Sequence, residues 1–529
     1  MSKTRFQVMQ KVLLTLLSTT LIALSGCATN AVTGERNFQV LGSDWEQQVG
    51  SQMYAPMKQS QGGDFILDPE LTVYVQEVGN RLAERARRKD ELDFEFSILN
   101  DSVPNAWALP GGKIVVNRGL LTELSSEAEL AAVLGHEIVH ADAAHGARAQ
   151  SKGMLVELGA VATMVVFGSI LDDPAAREMG MMVPALGAQL LTQKYGRDAE
   201  RESDQYGMLY MSEAGYDPQG AVELQQTFLK LSEGRDADWL TGLFASHPPS
   251  RERLDNNRRA AKKLPQGGET GRERYQQKTA YLRRVQPAYD AFEEANKAVN
   301  EEQLALAQER LNQALALEPR ESLFHALQGD IHALNNQPKT AINSYSRAIE
   351  ANQNLFYGFL RRGQLTYKLE RGEAARPDLE RSLKLMPTAE AHFLLGMLDK
   401  QGKQMESAQQ HFLAAAQSDS EAGQRATVEY VRLDAPQNPA RYVGTRAAVD
   451  DNNAIWAVIG NLTPVPLGDI EVSYAWLDDQ GQTRQGRIAY PGPLAGGAQD
   501  KLPLNIRLAD ARELNQRVRV EITAARVPD

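Results

Sequence analysis

One interval limits the architecture of this 529-residue chain more than any other feature: small residues return at a fixed spacing between residues 295 and 408. Ala295, Gly329, Gly363 and Gly396 form one series, and Ala307, Ala341, Ala375 and Ala408 form a second, both with spacings of 34, 34 and 33. Pro319 and Pro387 stand two periods apart and close two of the units. Two series with one period call for a repeated pair of helices that approach closely where the side chains are smallest. A single pair cannot bury its apolar face alone, so about four units must stack to make one core.

The pattern resembles tetratricopeptide repeats, expected over 284–424 behind a polar linker at Pro265-Gln266-Gly267-Gly268. Residues 436–529 differ in texture, with short alternating runs such as Ala454 to Ile459, Ile470 to Leu477, Leu502 to Leu508 and Val518 to Ile522. Turns at Asp479-Gln480-Gly481 and Gly496-Gly497 separate them, which predicts a small β-sandwich of immunoglobulin-like type with a binding or capping role. Residues 64–265 read as a further domain. Leu71, Val75, Val78 and Leu82 share a helix face, Phe94, Phe96 and Ile98 alternate as a strand, and Asn105 to Leu109 turns through Pro110-Gly111-Gly112 into Lys113 to Val116.

The N-terminus speaks for a compartment. Lys3, Arg5 and Lys11 precede an apolar run from Val12 to Leu24 that is short for a permanent membrane span, so residues 1–26 read as a secretory signal. The run ends in Leu24-Ser25-Gly26-Cys27, which resembles the lipobox of bacterial lipoproteins. Cys27 is the only cysteine, so disulfides, a thiolate metal site and a cysteine nucleophile are excluded together. Acyl chains on Cys27 would anchor the chain to a membrane, and Ala28 after it implies, by the same resemblance, the outer membrane with the protein facing the periplasm. Residues 27–63 then read as a lipidated tether followed by a first helix from about Asp44. Without residues 1–26 the chain carries 54 Lys and Arg against 68 Asp and Glu, a net charge of −14 that disfavours nucleic acid as a partner.

The chemistry is carried by His136-Glu137-Ile138-Val139-His140. Leu130, Val133 and Leu134 support a helix there, so the two histidines lie four residues apart on one face and both imidazoles reach one Zn²⁺. Glu137 lies beside the attacking water, where it can take a proton and later deliver it to the leaving amine. A histidine six residues beyond His140 would give a third ligand, but Gly146 stands there and His145 is out of step. A glutamate on a later helix is expected instead, in Asp198-Ala199-Glu200-Arg201-Glu202-Ser203-Asp204. Glu200 and Asp204 share a helix face, which favours Glu200 over Glu202 as a ligand and suits Asp204 to orient a ligand histidine, although an exposed charged helix also accounts for this run.

Residues from about Asn30 to Leu254 resemble the HtpX and BepA branch of zinc endopeptidases, which joins an HExxH helix to a later ExxxD helix. The resemblance implies His136, His140 and Glu200 as zinc ligands, Glu137 as general base and Asp204 behind them. It also implies a role for His247 in Ser246-His247-Pro248-Pro249, either stabilising the oxyanion or filling the fourth zinc position and keeping the enzyme latent. Arg251 would help to place that loop. The strand of Asn105, Ala106 and Trp107 matches the family's edge strand, which aligns extended substrates by adding them to the sheet, with Trp107 either lining a pocket or filling the core.

The expected fold class is multidomain α+β: a mainly helical zincin-type protease domain with a small sheet, an α-solenoid of repeats and a C-terminal β-sandwich. The expected function is that of a membrane-anchored endopeptidase with one zinc per chain. It would hydrolyse unfolded or misassembled envelope proteins, with the repeats recruiting substrates or an outer-membrane assembly complex. A chaperone or scaffold with a latent zinc site is the rival reading. The apolar stretch Met154 to Leu191 reads as a helical hairpin, buried or lying on a membrane, or as a membrane span.

Overall fold

The computed structural model describes residues 27–154, 195–234 and 247–528, apart from 371, 479 and 508–513. The expected signal segment 1–26 and nearly all of the stretch Met154 to Leu191 lie outside the described residues. Among the described residues no helix is long and apolar enough to cross a membrane. The chain divides into two compact units, Met1–Gly358 and Phe359–Asp529.

In the first unit a ribbon of β1 (Cys27–Thr29) and β2 (Arg36–Phe38) precedes α1 (Ser43–Ser60) and α2 (Pro69–Ala83). A tether was expected before α1. Residues 27–41 instead fold back onto the domain, because Ser151 Oγ accepts from the Val40 amide and Asn30 donates to Glu202. Helix α2 begins at Asp68, whose carboxylate accepts from the Leu71 amide, and its face of Leu71, Val75, Val78 and Leu82 is wholly buried.

Strands β3 (Glu95–Leu99), β4 (Ala106–Leu109) and β5 (Lys113–Asn117) form a sheet in the order β3-β5-β4. The β4–β5 turn needs Gly111 and Gly112 at φ 84° and 90°, and a Cβ on Gly111 would lie 2.9 Å from the Glu46 carbonyl of α1. One sheet face packs on Val49, Met53, Tyr54 and Met57 of α1, together with Trp107, Leu109 and Val115. After α3 (Arg118–Glu123), the opposite face packs towards α4 (Glu127–Asp142), which is buried along its whole length. Ser126 caps α4 by accepting from the Glu129 amide.

Helices α5 (Arg197–Glu213), α6 (Gln219–Gly234) and α7 (Arg251–Ala261) complete this domain. Helix α5 crosses α4 where Gly207 meets Gly135, and a Cβ on Gly207 would stand 2.8 Å from the His136 amide nitrogen. The expected linker is packed rather than free, since Glu269 pairs with the backbone around Tyr216. Behind it lie α8 (Arg272–Lys278) and the paired helices α9 (Ala280–Asn300) with α10 (Leu304–Leu317) and α11 (Ser322–Leu334) with α12 (Pro338–Ala351).

The second unit begins within α13 (Phe356–Glu370) and continues through α14 (Arg376–Leu385), α15 (Ala389–Gln401), α16 (Met405–Ala415) and α17 (Glu421–Asp434). The periodic small residues sit at helix contacts in both units. Ala295, Ala307, Ala341, Ala375 and Ala408 are fully buried, and a Cβ on Gly329 or Gly396 would enter the ring of Tyr345 or Phe412. Beyond α17, β6 (Val443–Val449), β7 (Ala454–Asn461) and β10 (Gln499–Arg507) form one antiparallel sheet. Strands β8 (Gly468–Leu477), β9 (Thr483–Ala489) and β11 (Val518–Arg526) form another, and the two share a core of residues such as Ile455, Ile459, Val472, Leu504 and Ile522.

In this unit His392 of α15 and His411 of α16 meet Nδ1 to Nδ1 at 2.9 Å. Burial and then the neighbouring His411 pull the His392 imidazole down to about 4, and burial also lowers His411 despite Asp399, itself bonded to Arg376. In the unfolded chain a histidine takes its proton near pH 6.5, so the unfolded state binds more protons between pH 6.5 and about 4, and folding stability falls as pH falls through that window. The full chain is therefore expected to lose melting temperature between pH 7 and 5, and His392→Gln to flatten that slope. An equal slope in both proteins would contradict the assignment.

Candidate metal centre

The centre is built where α4 and α5 cross. Because the crossing residues are glycines, the helix backbones come close enough for side chains one turn away to meet. His136 and His140 project from α4 with their Nε2 atoms 3.0 Å apart. From α5, Glu200 places Oε2 3.6 Å from His136 Nε2 and Oε1 3.4 Å from His140 Nε2. His247 brings Nδ1 to 2.9 Å from Glu200 Oε1 and 3.3 Å from His136 Nε2. The ligand atoms of His136, His140, Glu200 and His247 all lie within 4.8 Å of one another.

These separations test the fit of a metal. Four ligands about 2.0–2.1 Å from a tetrahedral Zn²⁺ lie about 3.3–3.4 Å from each other. The separations above, taken with either Glu200 oxygen, run from 2.9 to 3.6 Å within a set that spans up to 4.8 Å, so a small inward shift would close it on one ion. Two imidazole nitrogens directed at one point suit a cation between them. Glu200 Oε2 is buried and makes no hydrogen bond, with the Arg253 guanidinium behind it at 2.9 Å. Two imidazoles and a carboxylate form a donor set that suits zinc. His140 is kept neutral, chiefly because burial pushes its pKa well down. Burial works against the Glu200 carboxylate, but His247 and His140 outweigh it and hold the pKa well below the usual carboxylate range.

Each ligand is held from behind. His136 Nδ1 donates to Asp204 Oδ1 at 3.1 Å. Asp204 receives Arg253 Nε and Nη2, both at 2.7 Å, while Arg253 Nη1 lies 2.9 Å from Glu200 Oε2 and donates to the Pro248 carbonyl. Glu137 is 2 % exposed, with Oε1 3.6 Å from His247 Nε2. The Tyr195 ring lies against the His140 ring, with centroids 4.1 Å apart.

The structure thus brings together His136, Glu137, His140, Glu200, Asp204 and His247. Glu202 faces away from the centre, towards His145 and Arg148. Strand β4 is an edge of its sheet. Since the Asn117 amide donates to the Asn105 carbonyl, the ladder alternates so that the main-chain groups of Ala106 and Ala108 point outward. Trp107 is 6 % exposed and packed against α1, so of its two sequence readings the core position holds. Arg251, expected to place the His247 loop, is exposed, and Arg253 does that work instead. Tyr195 carries no motif that marks it in the sequence, and His145, out of step as a third ligand, sits behind His140.

Residues 69–261 match the model of peptidase family M48. The mitochondrial metalloendopeptidase OMA1 of Arabidopsis thaliana is 30% identical over 203 residues, covering 36% of this chain and 39% of that protein. The beta-barrel assembly-enhancing protease of Yersinia pestis is 30% identical over 227 residues, 42% of this chain and 45% of its own. Its namesake in Escherichia coli (strain K12) is 28% identical over 342 residues, 58% and 67% of the two chains. The chain therefore spans less than half the length of the first two.

Proposed function

We propose, from the peptidase family M48 domain over residues 69–261, that this chain is a zinc-dependent endopeptidase acting on unfolded or misassembled proteins of a bacterial envelope. The observation that carries the reading is the cluster of donor atoms from His136, His140, Glu200 and His247, all within 4.8 Å of one another, with Glu137 beside it. A zinc ion held by His136, His140 and Glu200 would polarise the scissile carbonyl and make water nucleophilic near neutral pH. Glu137 takes the proton from the attacking water. The C–O bond forms as that proton leaves, and Glu137 returns it to the amine nitrogen as the peptide C–N bond breaks. The outward main-chain groups of Ala106 and Ala108 would hold an extended polypeptide as an added strand, which accepts many sequences because side chains are not read. A small cleft lined by Val133, Met208, Leu224 and Phe228, together with Asp204, Gln225 and Arg253, reaches His136 and Glu137.

The helix pairs after Ala280 are read as tetratricopeptide-like repeats that recruit substrates or an outer-membrane assembly complex. The two sheets of residues 443–526 are read as a β-sandwich with a binding or capping role. Cys27 would carry the lipid anchor, on the outer membrane facing the periplasm. The relatives named beta-barrel assembly-enhancing proteases support the link to an assembly complex.

His247 favours a second reading. With Nδ1 at the fourth vertex it closes the site, and closed sites serve structure or latency. Cleavage of an unfolded model protein by the purified chain separates the readings. Wild type is expected to cut and to stop when zinc is chelated. If His247 is a latch, His247→Ala should cut faster than wild type; if it serves the oxyanion, the variant should cut more slowly. A folded, zinc-loaded chain that cuts with neither residue at 247 would favour the scaffold.

A further inference from the structure

The two ligand histidines are supported differently. His136 meets a carboxylate directly, whereas behind His140 there is a second imidazole: His145 Nδ1 lies 2.9 Å from His140 Nδ1. His145 arrives there only because α4 breaks after Asp142 and Ala144 adopts φ 53°, a left-handed conformation that is strained for a residue with a Cβ. Strain of this kind persists where the surroundings over-determine it. His145 is 3 % exposed, and its buried Nε2 makes no hydrogen bond but lies 3.4 Å from Glu202 Oε1, the carboxylate it faces. Glu202 also lies 3.4 Å from Arg148 Nη2 and receives Asn30 Nδ2 at 2.6 Å. Asn30 follows β1 directly, three residues after Cys27, and is 6 % exposed.

We propose that His145, Glu202 and Asn30 form a positioning relay for the ligand His140, which makes the N-terminal ribbon a structural part of the metal centre. The polarity of the relay follows from its ends. His140 directs Nε2 at the metal vertex, so its Nδ1 carries the hydrogen and donates to His145 Nδ1. His145 then carries its hydrogen on Nε2, facing the Glu202 carboxylate. Each ligand imidazole is thus backed by a carboxylate, His136 at one remove and His140 at two. The relay fixes the tautomer and the ring plane of His140, and the Asn30 amide fixes the carboxylate at its far end. Detaching the first residues after Cys27 from α5 would release that carboxylate.

The inference rests on the proposal that this centre holds zinc, and its test is zinc affinity by competition with a chromophoric chelator, together with the absorption spectrum of the cobalt-loaded chain. His145→Ala is expected to weaken zinc binding about 10–100-fold and to shift the cobalt bands. His145→Gln, which can accept from His140 and donate to Glu202, should recover most of the affinity. Asn30→Ala should weaken binding severalfold in the wild-type background and add nothing in the His145→Ala background, since both act through one relay. Wild-type affinity and cobalt bands in both single variants would overturn the relay, as would an Asn30 effect that simply adds to that of His145. If His145→Ala does not fold, Asn30→Ala and Glu202→Gln decide by the same measurements. Failure of wild type to bind zinc would instead overturn the proposed function.

Discussion

A chain carrying Glu137→Gln is expected to bind zinc as wild type does and to lose about 10²–10⁴-fold in kcat/KM on an unfolded protein substrate. The substitution keeps the size of the side chain, which matters because Glu137 is 2 % exposed on a helix with no free face. What it removes is the ability to accept a proton. His136 and His140 are each engaged at both ring nitrogens, and Glu200 is a candidate metal ligand paired with Arg253, so none of them is free to replace the base. Among the described residues His247 is near enough to substitute, with Nε2 3.6 Å from Glu137 Oε1. The measurement is therefore best made in the His247→Ala background as well, where that route is closed and any latch is released. Zinc content and melting temperature should match the parent in each pair. Retention of activity within tenfold of the parent, in a folded and zinc-loaded variant, would sink the assignment of Glu137 as general base.

The parts of this centre that could be read from sequence share one property: their geometry is local. His136 and His140 fall on one face of α4 because they are four residues apart, and Glu200 and Asp204 fall on one face of α5 for the same reason. Likewise, Gly329 and Gly396 announce a close approach, and the rings of Tyr345 and Phe412 fill the space a Cβ would need. Other parts depend on what the chain does over long distances. His145 looks out of step with the helix, and it is, but the break at Ala144 returns it to His140, and alanine carries no turn signature. Asn30 lies 172 residues from Glu202, in a stretch whose polar, glycine-broken composition suggested a tether. Trp107 alternates with its neighbours as a strand residue should, yet only the position of α1 decides that its face is core. The choice between Arg251 and Arg253 has the same origin, since two arginines two apart differ only in which face of α7 meets α5.

Arg253→Met should be the most destabilising of the substitutions considered. Arg253 is 8 % exposed and spans three groups at once, with two bonds to Asp204, one close approach to Glu200 and one donation to the Pro248 carbonyl. Its charge, working against burial, holds the Asp204 carboxyl below the usual range. A methionine fills similar volume but leaves two buried carboxylates without their cation, and breaking a buried pair in this way costs about 3–5 kcal/mol. The loss should be largest in the metal-free chain. Zinc bound at Glu200 supplies a second cation to the cluster, so saturating zinc should restore part of the stability, in excess of what ligand binding adds to wild type at the same concentration. Arg253→Lys is the informative control, because an ammonium keeps the charge but cannot fork onto both Asp204 oxygens while reaching Glu200, and it should fall between the two. Denaturant unfolding of the three chains with and without zinc reads all of this. Unfolding free energies within about 0.5 kcal/mol of one another, the range of ordinary surface substitutions, would mean that Arg253 does not hold the centre together.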